Sequence, residues 1–181
     1  MKKLPKILTI VLLLLNLSAL AQSQSILDYT FEKYPAKVST APKAKLNLSS
    51  HKLGSTFRTV ITEEYKNGKV NFGGHYVLVS WGCGSSCEQL AMIDITDGKI
   101  YQVLDEATHG MGCSSSAYEN FVGNKSTSRL FMSISCNESE IENTSNSNQE
   151  FIYTILIWDE AAKKFSTPLE ITKNEIVKSS Y

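Results

Sequence analysis

Phe57, Val60, Ile61 and Tyr65 recur at i, i+3, i+4 and i+8, the spacing of one helix face. Ser55 or Thr56 stands where a cap is needed, and Asn67-Gly68 supplies a left-handed stop. This is the one helix the pattern predicts after residue 21. Upstream, residues 22–50 read as polar and loop-like. Within them Leu27 to Tyr34 has strand character, and Pro35 and Pro42 interrupt the chain beyond it.

From Gly74 onward the period becomes that of strands. His75–Trp81 and Gln89–Thr96 read as strands, the second ending in Asp97-Gly98, a two-residue hairpin signal. Lys99–Leu104 is its return, and Ala107–Ser116 is a small-residue loop carrying His109. Ser128–Cys136 alternates apolar residues at Leu130, Met132 and Ile134. Asn137–Gln149 is rich in Asn, Ser and Glu and predicts an exposed flexible loop. Phe151–Trp158 is the most apolar strand, Asp159–Lys163 turns, Lys164–Pro168 returns, and the tail from Glu170 supplies a last strand. Two three-stranded meanders echo each other along this order. The expectation is a mainly β, β-rich α+β fold: a single antiparallel meander, sandwich or small barrel-like domain over residues 35–181 with one packed helix, preceded by an N-terminal segment at 22–34.

The first 21 residues change the picture of compartment. Lys2, Lys3 and Lys6 precede the apolar run Ile7–Leu15, and Ala19-Leu20-Ala21 fits a cleavage site. This is the form of a secretory signal, cleaved after Ala21, and the run is too short to span a bilayer. The expected location is the periplasm or the outside of a bacterium, without stable membrane insertion. Removal of that segment leaves 15 basic and 18 acidic residues, a net charge of −3. That balance argues against nucleic acid, which needs a basic face to displace counterions.

Candidate chemistry concentrates in Asn71–Cys87. Within it are His75, Trp81, Cys83 and Cys87, and the other two cysteines are Cys113 and Cys136. An even cysteine count in an oxidising compartment points first to disulfides, though four cysteines allow three connectivities. The favoured pairs are Cys83–Cys87, closing a glycine-hinged turn, and Cys113–Cys136, closing a longer loop for about 2–4 kcal/mol. A redox pair is disfavoured because Cys83 and Cys87 lack the two-residue thioredoxin spacing. A competing metal set is Cys83, Cys87, His109 and Cys113 as zinc ligands, with a weaker variant in which His75 supplies the nitrogen. As a catalytic base His75 would need to reach Cys83 or Ser85, yet a strand to residue 83 spans about 25 Å. Asp94, Asp97, Asp105 and Glu106 are acids near turns, ordinary around a hairpin. No phosphate loop, metalloprotease helix or nucleophile elbow is present.

The runs Asn71–Tyr76, Trp81–Cys87 and Ile93–Lys99, with Phe57-Arg58-Thr59, Ser128-Arg129-Leu130 and Trp158-Asp159, resemble an uncharacterised family of secreted bacterial proteins. The resemblance covers roughly residues 35–168. It departs at Gly73, where alanine is commoner, and it does not extend to Cys113 or Cys136. It implies secretion and a small β-rich domain, and brings no reaction or ligand with it.

The functional expectation is therefore a non-catalytic binding protein without a cofactor. Its partner would be a protein or envelope ligand, as for an inhibitor or immunity-type module. Trp81, Ser85, Ser86, His109 and His75 are the candidate binding residues, and loops 82–88 and 107–116 are the expected binding surface. The alternative is a small enzyme or zinc domain using His109 or His75 with Cys83, Cys87 and Cys113.

Overall fold

The computed structural model describes residues 25–84, 87–108, 123–142 and 144–178, without the side chains of 87 and 105–108. The fold is mainly β, with two antiparallel sheets and two short helices among the described residues. The first sheet is the meander β1 (Tyr76–Gly84), β2 (Cys87–Asp94) and β3 (Ile100–Thr108). In the second, β4 (Gly123–Asn124), β5 (Leu130–Glu140), β6 (Asn146–Asp159) and β7 (Lys164–Phe165) follow in order, and β8 (Leu169–Lys178) also pairs with β6.

The period-2 pattern sorts side chains into three apolar layers. Val77, Val79, Trp81, Ala91 and Ile93 face the helices and pack on Ile61 and Tyr65. The opposite face of that sheet, with Tyr76, Leu90, Met92 and Val103, meets Phe131, Leu156 and Trp158 of the second sheet. Beyond it, Leu130, Met132, Tyr153 and Ile155 are covered by Ile26 and Phe31. Asp94 continues the alternation of Leu90 and Met92, so its carboxylate belongs to the layer between the sheets.

Several sequence expectations change. Leu27–Tyr34 is not a strand: it forms two 3-10 turns, Ile26–Asp28 and Phe31–Lys33, whose Ile26 and Phe31 are buried. A strand there would have placed alternate residues in the core, whereas two short turns can bury one anchor each. The expected helix is present as α2 (Arg58–Asn67), but a second, α1 (Lys52–Thr56), precedes it. Ser55 and Thr56 therefore lie inside α1 and bond back to the Lys52 carbonyl. Gly68 ends α2 in extended conformation, not a left-handed one.

The polar stretch Asn137–Gln149 is no long loop. β5 runs to Glu140 and β6 starts at Asn146, with cross-strand partners from Asn137↔Glu150 to Glu140↔Ser147. Pairing on both edges of β6 overrides the low β propensity of Asn and Ser. Asp97-Gly98 is not a two-residue turn either. The ladder closes at Ile93↔Ile100, and of this connection only Gly98 has positive φ, at 74°. A Cβ at Gly98 would lie 2.1 Å from the Lys45 carbonyl oxygen, so only glycine fits. The longer connection leaves room for Thr96 to fold back on Asp94.

Candidate functional site

The hairpin register β1–β2 pairs Tyr76 with Asp94, and the Ile95 amide donates to the His75 carbonyl at 2.9 Å. His75 is thereby fixed beside the end of β2. It leaves a tight turn whose Gly73 and Gly74 amides donate to the Ser128 and Ser126 carbonyls. Gly74 adopts φ 87°, and a Cβ there would lie 2.5 Å from the Lys37 carbonyl oxygen. From the other sheet comes the turn after β6. Its Asp159 Oδ1 accepts from the amides of Ala161 and Ala162, closing the turn. Lys163 follows at φ 50°, a left-handed residue with a bulky side chain, which is uncommon and concentrates at functional positions.

These pieces converge on one polar cluster at the margin of the inter-sheet layer. His75 Nε2 lies 3.5 Å from Asp94 Oδ2 and 3.3 Å from Glu160 Oε1. Lys163 Nζ donates to Asp94 Oδ2 at 3.3 Å, to the Tyr76 hydroxyl at 2.8 Å and to Glu160 Oε1. The Tyr76 hydroxyl donates to Glu160 Oε2 at 2.8 Å. Trp158 Nε1 donates to Glu160 Oε2 at 2.8 Å and to the Tyr76 oxygen at 3.1 Å. Asp94 Oδ1 accepts from the Thr96 amide and hydroxyl at 2.8 and 2.6 Å. The Asp94 side chain is only 2% exposed, while Lys163 and Glu160 reach solvent at 37% and 41%.

Electrostatics fixes the protonation of three members. Burial pushes the Tyr76 phenol far above its ordinary range, and the nearby Glu160 carboxylate adds to this. At Lys163 burial opposes the charge, but the bonds to Glu160 and Tyr76 outweigh it and the ammonium holds its proton more tightly. For Glu160 burial raises the carboxyl pKa, yet the bonds from Lys163, Trp158 and Tyr76 win and lower it. A depressed folded-state pKa gives stability that is present above the unfolded value, about 4.3, and is lost as pH falls through the folded one. Unfolding free energy should thus drop on acidification below about pH 4, and Glu160→Gln should flatten that drop. Denaturant titrations at stepped pH would measure it; equal slopes in both proteins would refute the assignment.

Beside the cluster lies a cleft of about 400 Å³ whose lining includes His51, Lys99, Tyr101, Trp158, Lys163 and Phe165. Tyr101, Tyr76 and Phe165 meet the Trp158 ring edge-on at centroid distances of 5.0–5.4 Å. Lys164 also faces the cleft, whereas Asp94, Asp97 and Glu160 are not part of its lining. His51 Nδ1 accepts the Leu53 amide at 3.3 Å and caps α1.

The sequence-level candidates divide. His75 is in the cluster. Trp81 is a core residue, 9% exposed, with its ring 4.7 Å from that of Phe57. Of the expected loop 82–88, residues 82–84 are the end of β1 and 87–88 the start of β2, with Gly84 paired to Cys87. The strand residues Tyr76 to Gly82 of β1 separate His75 from Cys83, so a His75–Cys83 dyad is not assembled. Ser85, Ser86, His109 and Cys113 lie outside the described residues, as do the side chains of Cys87, Asp105 and Glu106. The zinc set built on His109 and the disulfides 83–87 and 113–136 fall there too. No free thiol occurs among the described cysteines. No described helix is long and apolar enough to cross a membrane.

Tyr76, Asp94 and Trp158 fall within the motif stretches but were given no role there, and Glu160 and Lys163 were read only as part of the turn Asp159–Lys163. One local signal existed for Lys163: a turn of five residues between two strand patterns forces some residue to reverse the chain. No family model matches this chain, and neither a curated protein nor a solved structure is similar to it.

Proposed function

We propose that this chain is a secreted or periplasmic, non-catalytic binding protein of the inhibitor or immunity type, and that the cleft beside Lys163 receives an acidic side chain of a protein partner. One observation carries this reading: three lysines (Lys99, Lys163 and Lys164) line the cleft, whereas Asp97 and Glu160, the ion-pair partners of Lys99 and Lys163, are not part of its lining. The cleft is cationic toward a ligand although the neighbourhood as a whole is balanced. Tyr101 and Phe165 supply an apolar wall beside that charge, the combination of aromatic anchor and polar rim that marks recognition sites.

The protonation pattern favours binding over acid–base catalysis. A general acid or base works best with a pKa near the operating pH. Tyr76 and Lys163 are both pushed away from it, upward, so each keeps its proton. Fixed charge and fixed dipoles suit docking. The signal-like N-terminus and the motif resemblance support the compartment.

Titration of labelled protein with a short glutamate-rich peptide, followed by NMR, tests the reading. The Trp158 indole N–H and the Tyr101 and Phe165 amides should shift together, and added salt should weaken the effect. Lys99→Glu with Lys164→Glu should abolish it with the spectrum otherwise intact. Shifts scattered over the surface, or unchanged in the double variant, would refute the cleft as the docking site.

A further inference from the structure

His75 Nε2, one oxygen of Asp94 and one oxygen of Glu160 all lie within 4.8 Å of one another. The imidazole nitrogen sits 3.5 and 3.3 Å from the two oxygens. These separations are long for a hydrogen bond, whose mode is about 2.9–3.0 Å. They match the edge of a tetrahedron around a zinc-sized ion: ligands at about 2.0–2.1 Å from the metal stand about 3.3–3.4 Å from each other.

The surrounding bonds select which oxygens are turned inward. Asp94 Oδ1 is held by Thr96, which leaves Oδ2 toward His75. Glu160 Oε2 is held by Trp158 and Tyr76, which leaves Oε1 toward His75. Outer-shell donors that fix the orientation of each ligating group are the usual support of a metal site. The same two inward oxygens already share a cation, because the Lys163 ammonium bonds to both.

We propose that His75, Asp94 and Glu160 are the ligands of a divalent transition-metal ion of the zinc type, and that the Lys163 ammonium takes the ion's place when none is bound. One nitrogen and two carboxylate oxygens leave a fourth position for water or for a ligand group entering from the cleft. Two carboxylates carry two negative charges; Lys163 neutralises one of them, and a divalent ion neutralises both. Lys163 stands on a turn and is 37% exposed beside the cleft, so its ammonium has an aqueous place to go. This site uses carboxylates and no cysteine, unlike the zinc sets suggested by the sequence. It does not depend on the docking reading of the cleft.

Zn²⁺ titration by calorimetry and Co²⁺ titration by visible absorption, on the full oxidised chain, test the proposal. Wild type should bind one equivalent, with a cobalt spectrum free of thiolate charge transfer. A site closed by Lys163 in nine-tenths of molecules or more pays that fraction in affinity, so Lys163→Met should bind about tenfold tighter or better. Adding His75→Ala to Lys163→Met should weaken binding by about tenfold or more. Circular dichroism on each variant checks the fold. Affinity unchanged by Lys163→Met, affinity unchanged by His75→Ala, a thiolate band, or no saturable binding in folded Lys163→Met would each overturn the proposal.

Discussion

Trp158→Ala should destabilise the protein by about 3–5 kcal/mol, the range for deleting a large buried aromatic. Trp158 is 1% exposed and lies among Tyr76, Tyr101 and Phe165 in the layer that joins the two sheets. Loss of the indole empties that junction, and loss of its N–H takes one of two donors from Glu160 Oε2. Trp158→Phe partly separates the two effects. It keeps one aromatic ring in the junction but loses the hydrogen bonds and part of the indole volume, so a smaller loss of about 1–3 kcal/mol is expected. Urea denaturation followed by far-ultraviolet circular dichroism measures both. A loss below about 1 kcal/mol for Trp158→Ala would mean that the junction contributes little to stability, contrary to its burial.

Asp94→Ala should cost about 3 kcal/mol, the low end for removing one partner of a buried ion pair. The low end applies because Lys163 retains contact with water at 37% exposure, whereas Asp94 has almost none. Removal of Asp94 leaves the Lys163 ammonium with the Glu160 carboxylate and the Tyr76 hydroxyl and strips Thr96 of its acceptor. Lys163→Met has the opposite fault: it leaves two carboxylates facing each other across the His75 ring nitrogen. The damage in each single variant is partly an unpaired charge, so the double variant should be less unstable than the sum. A coupling of about 1–3 kcal/mol is expected for residues in one network. Additivity within about 0.5 kcal/mol would show that the pair does not act as a unit.

The strands were largely visible in the sequence because burial writes its period locally. Val77, Val79 and Trp81 alternate toward the helices, and so do Ala91 and Ile93 on the neighbouring strand. The α2 face with Ile61 and Tyr65 was visible for the same reason. The polar ends of β5 and β6 were not, since residues such as Asn137, Ser139 and Asn148 become strand only because each has a backbone partner across the ladder. Trp81 shows the complementary failure. Its neighbours Gly82 and Cys83 suggested a loop anchor, but its alternation with Val77 and Val79 puts it in the core. The rarity of tryptophan was a weaker guide than its phase.

The candidate site was legible in one residue. His75 stood out by type, but its carboxylate partners are distant in the chain. Asp94 reaches it through a hairpin register, and Glu160 and Lys163 through the packing of one sheet on another. Lys163 and Tyr76 are 87 positions apart, and Tyr76 and Glu160 are 84 apart. The mainly β character, the α2 face and the position of most strands could be read along the chain, because each follows from the spacing of apolar residues within a single element. The tertiary structure alone decided which polar residues meet, because a hydrogen-bonded cluster across two sheets leaves no period in the chain: its members need only be at the ends of strands that happen to be stacked.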